Sequence, residues 1–456
     1  MRFPLRLTRA ALAAIALTLT GNVFAEADPS DGVLSVCAPA AEESVAYYSD
    51  LAFRESPFED IAGTGRMSAA DAKRRNHYRI ARDAQDRVVS VRHALGDRLR
   101  NPEPGHRFFF QAAEMRLCYP PGREVRKFFN TRGHPTTIRG SVAEERFTLD
   151  PDGYRQSLRH LGIDGQPVDS GWGIARYDWQ RHDDGSVIET RHNLAGAAVA
   201  MRPELPFERV RLRFGPSGWL ARLEHIDAKG ALLENSMKAA EDRLEYRASG
   251  EFIAWNVYDA KGQRVEGNAP NVARGITTYH ANGQPLSTRF EDRNGRPMAM
   301  ANGVWVEDAA FDEAGNMTEA RFLGPDGKLA VAPEVGCAIF EFRWEAEGLL
   351  RGHVACFDEQ RRPAKFAQGG FHRVTDRFGK SGDLQETRFE DENGNLVADA
   401  QGIARIVVHH DEQGRLIARH FLDAEGKPKV LAAAGTAVVR YRYTEAGFQV
   451  RETASR

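Results

Sequence analysis

The chain has 456 residues, 62 of them basic and 64 acidic, for a net charge of −2, and it carries four cysteines. Loss of the three N-terminal arginines, Arg2, Arg6 and Arg9, would take the balance from −2 to −5. A balance so close to even, with no basic cluster, excludes nucleic acid as a natural partner.

Residues 1–25 read as a secretory signal. The three arginines form a positive start and "ALAAIALTLTG" an apolar core, followed by small residues at Val23 and Ala25, which place cleavage after Ala25. No cysteine follows the apolar core, and no later stretch is apolar enough to span a membrane as a helix. The expected location is therefore the periplasm or the exterior. Residues 26–75 read as an N-terminal cap, partly helical, because "AEESVAYYSDLAF" and "MSAADAKRRNHY" have the polarity and the Ser/Asp starts of short helices.

From residue 76 to 456 the chain repeats itself. One glycine series is Gly133, Gly165, Gly196, Gly230, Gly262, Gly295, Gly327, Gly394 and Gly426. A second runs between them through Gly153, Gly185, Gly218, Gly250, Gly283, Gly315, Gly348, Gly382, Gly414 and Gly447. Each has a spacing near 32 residues, broken once where "FDEQRRP" at Phe357 lacks the glycine. An aromatic comes four or five residues before the glycine, usually followed by Asp or Glu, as in "FDEAG" and "YTEAG". That grammar suits a type I turn ending in a left-handed glycine, which closes a hairpin through a bulge. The acidic side chain can accept from its own backbone two residues on. Two short strands per repeat predict an all-β fold, an elongated antiparallel meander or solenoid of about two dozen strands that twists or coils. The aromatics Tyr246, Tyr258, Tyr279, Phe290, Phe311, Phe322, Trp344, Phe357, Phe378, Phe389, Phe421 and Tyr443 are expected to form one core layer. The opposite face should be charged, since Arg289, Arg321, Arg388, Glu319 and Glu386 recur on it. A charged face also excludes an outer-membrane barrel, whose strands need an apolar outer side.

Cysteines in an exported chain point to disulfides. Cys337 and Cys356 flank the turn "WEAEG". If Glu345 faces Gly348, the two cysteines stand opposite one another or one step out, close enough to bond. Cys37 then pairs by elimination with Cys118, tying the cap to the first repeats.

"RYRYTEAG", "HHDEQGRL" and "VYDAKGQR" resemble the YD-type hairpin repeats of bacterial RHS-like surface proteins. The half-repeat that carries Phe, Asp, Gly and Pro-Val is similar to the WG and MORN-like repeats of bacterial exported proteins. The period departs from that of RHS proteins, and their long shell and toxin-release segment are not matched. The resemblance implies binding, scaffolding or surface display, and it carries over no catalytic residue.

Motifs that carry chemistry are few. There is no G-x-S-x-G, Walker loop, G-x-G-x-x-G after a strand or H-E-x-x-H, so no catalytic, cofactor-binding or metal residue is assigned and no cofactor is expected. The pair His409–His410 replaces a strand-end aromatic, with its rings on opposite faces. Acidic turns such as "DPDG" and "EDENG" lack the later bidentate Glu of a calcium loop. The sequence therefore points to a non-enzymatic binding or scaffolding module for a protein, peptide or glycan of the cell envelope. The alternative is an envelope hydrolase with its site in or near the N-terminal cap. A binder should show an extended surface, and a hydrolase one pocket with convergent polar groups.

Overall fold

The computed structural model describes residues 32–37, 40–102, 109–367 and 369–452. The proposed signal, residues 1–25, lies outside them. The described residues form 27 antiparallel strands in one open sheet, not closed into a barrel, and one four-residue helix. From residue 76 onward nearly every strand pairs with its neighbours in sequence, the arrangement of a meander.

The hairpin turns follow the expected grammar. At "YHANG" the His280 amide donates to the Gln284 carbonyl at 2.8 Å and the Gly283 amide to the His280 carbonyl at 3.0 Å. The register shifts between Thr278 and Tyr279, which is the bulge. The same shift precedes Phe311, Phe378 and His410. Acidic side chains accept from the turn backbone, as Asp411 does from the amides of Gln413 and Arg415 at 3.0 and 2.8 Å. In the other series, where the glycine is missing, Arg361 itself takes the left-handed conformation, at φ 58°, and its turn is kept.

The other glycine series behaves differently from expectation. Gly295 closes a turn on Asp292, but the chain pairs back only briefly, through Pro297 and Glu291. It then makes a second turn, from Met300 to Gly303, before the strand Val306–Phe311 begins. These excursions carry core side chains of their own, among them the buried Met300 and Val304. One end of each repeat is thus a tight hairpin and the other a long double turn.

Two further expectations are corrected. "ESVAYYSDL" is not helical. Ser44–Leu51 is a strand paired on one side with Gly63–Met67 and on the other with Asn76–Arg82. Its Val45, Tyr47 and Tyr48 suit an extended chain, and strand partners on both sides outweigh local helix propensity. The second helical stretch survives as a single turn, Ala69–Ala72, capped by Ser68, whose hydroxyl accepts from the Asp71 amide at 3.1 Å. The register around Cys337 also differs. Cys356 faces Phe340 rather than Cys337, three residues out, and Glu345 faces Leu350 rather than Gly348, two residues out, the difference being the bulge between Arg343 and Trp344. A turn with Ala346, Glu347 and Gly348 all at positive φ is longer than the one assumed. Cys337 lies before the strand, bridged to Ala332 in the excursion, and bends in to bond Cys356 with a Cα separation of 5.4 Å.

The sheet coils until it meets itself. Side chains of Asn76, Arg98, Arg100 and Arg132 bond to residues 216 to 251 positions further along the chain. The hairpin turns of the later winding make these contacts: an added Cβ at Gly283 would lie 3.1 Å from the Gly65 Cα, and one at Gly447 would lie 3.4 Å from Pro135. One face of the ribbon is turned inward and carries the apolar clusters, with Phe147, Phe290 and Phe340 buried. The other carries ion pairs such as Arg373–Glu390 at 2.8 Å and Arg388–Glu390 at 3.1 Å.

Candidate functional site

Residues 52–62 join the first two strands and leave the sheet. Their neck is one backbone bond, from the Ala52 amide to the Ala62 carbonyl at 2.8 Å. Beyond it Ser-Pro forces a turn. The Glu59 amide donates to the Ser56 carbonyl at 3.2 Å, while the Glu59 carboxylate accepts from the amides of Glu55 and Ser56 at 2.8 and 3.0 Å. The Ser56 hydroxyl accepts from the Phe58 amide at 3.0 Å. The segment thus satisfies much of its own backbone and presents side chains outward from a compact turn.

Those side chains enter the interior of the first winding. Phe53 packs on Phe252 with ring centres 4.5 Å apart, and Phe58 lies 5.6 Å from Trp179 and 6.0 Å from Phe214. Between these aromatic anchors the contacts are polar. Arg202 donates to Glu55 at 2.6 Å, and the Ser56 hydroxyl donates to Glu189. Glu189 is itself held by Trp179 Nε1 at 2.8 Å and by Arg191, whose side chain is fully buried. Arg155 reaches the Phe58 and Glu59 carbonyls at 2.7 and 3.2 Å and pairs with Glu124 at 2.8 Å. Arg54, Glu55, Ser56 and Glu59 are all buried.

Desolvation dominates the electrostatics here. Burial pushes the Glu59 carboxyl up to about 8, against the pull of the Ser56 and Glu55 amides and Arg54. Burial likewise raises Asp242 to about 7, helped by the nearby Glu55 charge and opposed by Arg202 and by Asn268, whose side chain donates to it at 3.0 Å. Arg54 is lowered to about 9, first by burial and then by Arg126. Glu124 moves the other way: its burial is outweighed by Arg126 and Arg155, which hold it below the usual carboxylate range.

The residues singled out in the sequence lie elsewhere. Cys37 bonds Cys118 and Cys337 bonds Cys356. Of the repeat aromatics, Phe290, Phe322 and Phe421 are buried, while Tyr246, Tyr279, Phe311, Trp344, Phe378 and Tyr443 sit half-buried next to the hairpin turns. The ring of His409 lies 4.7 Å from that of His420 across the ladder. Among the described residues no group of three or more His, Cys, Asp or Glu is placed to hold a metal. Nothing in hydropathy marks residues 52–62 for the interior, because four charged side chains in "FRESPFED" read as solvent-exposed.

Over the last six strands, Arg373–Phe378 to Gln449–Arg451, the inward face is thinly covered. Its apolar cluster has three buried residues, Ile403, Phe421 and Val439, with Phe389 and Tyr441 half-exposed against them. Ile417 is 37 % exposed.

No helix among the described residues is long and apolar enough to cross a membrane, and two disulfides are compatible with an oxidising compartment. No protein-family model and no curated protein matches the chain. Among solved structures it is similar to a crystal structure of TcdB2-TccC3-TEV, with 11 % identity and a TM-score of 0.27, covering 84 % of this chain and 19 % of that one. It is also similar to a Photorhabdus luminescens Tc holotoxin pore, with 12 % identity and a TM-score of 0.27, covering 83 % and 18 %. The chain spans about a fifth of the length of these solved chains.

Proposed function

We propose that this chain is a non-enzymatic binding or scaffolding module of the cell envelope that holds a polypeptide on the inward face of its coiled sheet. One observation carries the reading: that face already holds a polypeptide, residues 52–62, through side chains rather than a strand ladder. The same face continues over the last six strands, where Phe389, Ile417 and Tyr441 are partly open. Placement in the envelope rests on the signal-like residues 1–25 and the disulfides. Ser56 offers the hydrolase alternative no nucleophile, being fully buried with its hydroxyl given to Glu189.

The test is selection of a displayed peptide library on the immobilised chain, in parallel with a glycan array. The expected result is enriched peptides that bind the wild type and are lost on Ile417→Asp, a change at a partly exposed position that the fold should tolerate. Binding of glycans alone, or of neither class, would overturn the reading. Peptide binding indifferent to Ile417→Asp would remove this face as the site.

A further inference from the structure

The inserted segment is seated in the manner of a ligand. Between its neck and its tip, residues 53–61 make no backbone-to-backbone hydrogen bond to a described strand of the sheet; their own such bond is internal, Glu59 to Ser56. What attaches it is two aromatic anchors, Phe53 and Phe58, and a set of buried charges between them. The wall it meets is correspondingly polar for the inside of a sheet: Glu124, Arg126, Glu145, Glu189, Arg191 and Asp242 are all buried on that face. Burying ions carries a desolvation cost that their mutual attraction only partly offsets, so a segment held this way is seated nearer to balance than an apolar one of equal size. Both anchors keep partial exposure, whereas Ser56 between them is sealed.

From this we infer that the interior of the first winding is a recognition groove for an acidic peptide with two aromatic anchors five residues apart, and that residues 52–62 are its built-in competitor. A partner segment of the same chemistry enters by displacing them. The wall supplies the selectivity. Arg202 takes a glutamate two residues after the first anchor, Glu189 takes a hydroxyl three residues after it, and Arg155 takes the carbonyls at the second anchor. The proposal deepens the binding-module reading and rests on it, but it concerns a different stretch of the inward face from the last six strands.

The probe is a labelled synthetic peptide covering residues 51–63, added to the full exported chain. Because the tethered copy occupies the groove, the wild type should bind it weakly. The double variant Glu55→Gln/Phe58→Ala, whose own segment is loosened, should bind it about tenfold or more tightly than the wild type, the gain expected when the competent fraction rises by that factor. Arg202→Met in that background should abolish the gain. A folded double variant that binds no better than the wild type overturns the proposal. If the double variant does not fold, hydrogen exchange of the wild type decides. The amides of Glu55, Ser56, Phe58 and Glu59 should exchange by local opening, faster than those of Ile80 and Val91, and faster still with excess peptide. Exchange of these amides only through global unfolding, unchanged by peptide, makes the segment a fixed part of the core and ends the proposal. If library peptides bind over the last six strands while these amides stay locked, the binding-module reading stands and this inference alone falls.

Discussion

Gly283 and Gly295 use the same left-handed conformation, at φ 85° and 77°, in different surroundings. A Cβ at Gly295 would meet nothing within 4 Å, whereas one at Gly283 would come within 2.5 Å of Ser49 Oγ and 3.1 Å of the Gly65 Cα on the neighbouring winding. Gly295→Ala should therefore cost only the backbone term, about 1–2 kcal/mol. Gly283→Ala should cost distinctly more, because backbone must shift. Urea midpoints of the two variants measure the difference, and equal midpoints would mean that the windings are not in contact at this turn. Arg361 shows that a side chain can be held in that conformation when the turn around it is intact. A second residue-scale expectation concerns pH. Asp242 has a carboxyl raised by burial from 3.8 to about 7, so the native state binds its proton more firmly than the unfolded chain does. The contribution is present in full below about 4 and lost as pH rises through about 7. Asp242→Asn, which can still accept from Asn268, should flatten that decline in melting temperature between pH 4 and 7 and be more stable than the wild type at pH 8. An unchanged slope would show that Asp242 is already ionised in the fold. Glu266 acts in the opposite sense and in another window. Arg293 holds it down at about 2, and its contribution is lost as pH falls from about 4.5 towards that value.

Corresponding phenylalanines in different repeats do not carry equal weight. Phe290 is fully buried beside Trp255, ring centres 6.0 Å apart, while Phe389 is half-exposed and stacks on Phe371 at 4.7 Å. Phe290→Ala should cost about 3–5 kcal/mol and Phe389→Ala about half of that, read from denaturant midpoints. Equal losses would show that the last strands are covered in solution. At this scale much was legible in the sequence. The glycine spacing located the turns, the acidic residues before them bond the turn backbone as expected, and alternation put Phe290, Phe322 and Phe421 on the inward face, but Tyr258 and Phe357 follow the inward Val257 and Cys356 and lie on the other face. What could not be read has physical causes. One glycine series closes hairpins and the other opens double-turn excursions, yet Gly283 and Gly295 make the same local hydrogen bonds, so nothing near them tells the two apart. The Cys337–Cys356 pairing was legible from proximity, but its register was not, because Ala346 and Glu347 adopt positive φ that no local signal announces. Ser44–Leu51 took the strand that its neighbours offered. The site was hidden for a plainer reason. Arg54, Glu55 and Glu59 are buried only because Arg202, Arg155 and a folded turn meet them there, and those partners lie about a hundred residues or more away in sequence.

For the molecule as a whole, two kinds of contact divide the work. Strand pairings join near neighbours in the chain, whereas the contacts between windings join residues more than 200 positions apart and fall at the hairpin turns of the later winding. The inserted segment has its own long reach, from Ser56 to Glu189 and from Phe53 to Phe252. Viewed as events in time, this division sets an order of assembly. Hairpins can zip one after another as the chain emerges, since each closes only a short loop. Residues 52–62 emerge early, but the wall that receives them is complete only after the strand Phe252–Tyr258 has joined the sheet. The segment must wait exposed, with its two phenylalanines and four charges in water, for some 190 residues of chain to fold. Pulse-labelling during refolding should show the hairpin amides protected first and the Glu55 and Ser56 amides late; simultaneous protection would contradict that order. A chain built in this way leaves an early-made polar segment unenclosed until more than half of its strands have formed, so whatever can occupy the interior meets it open during every round of folding.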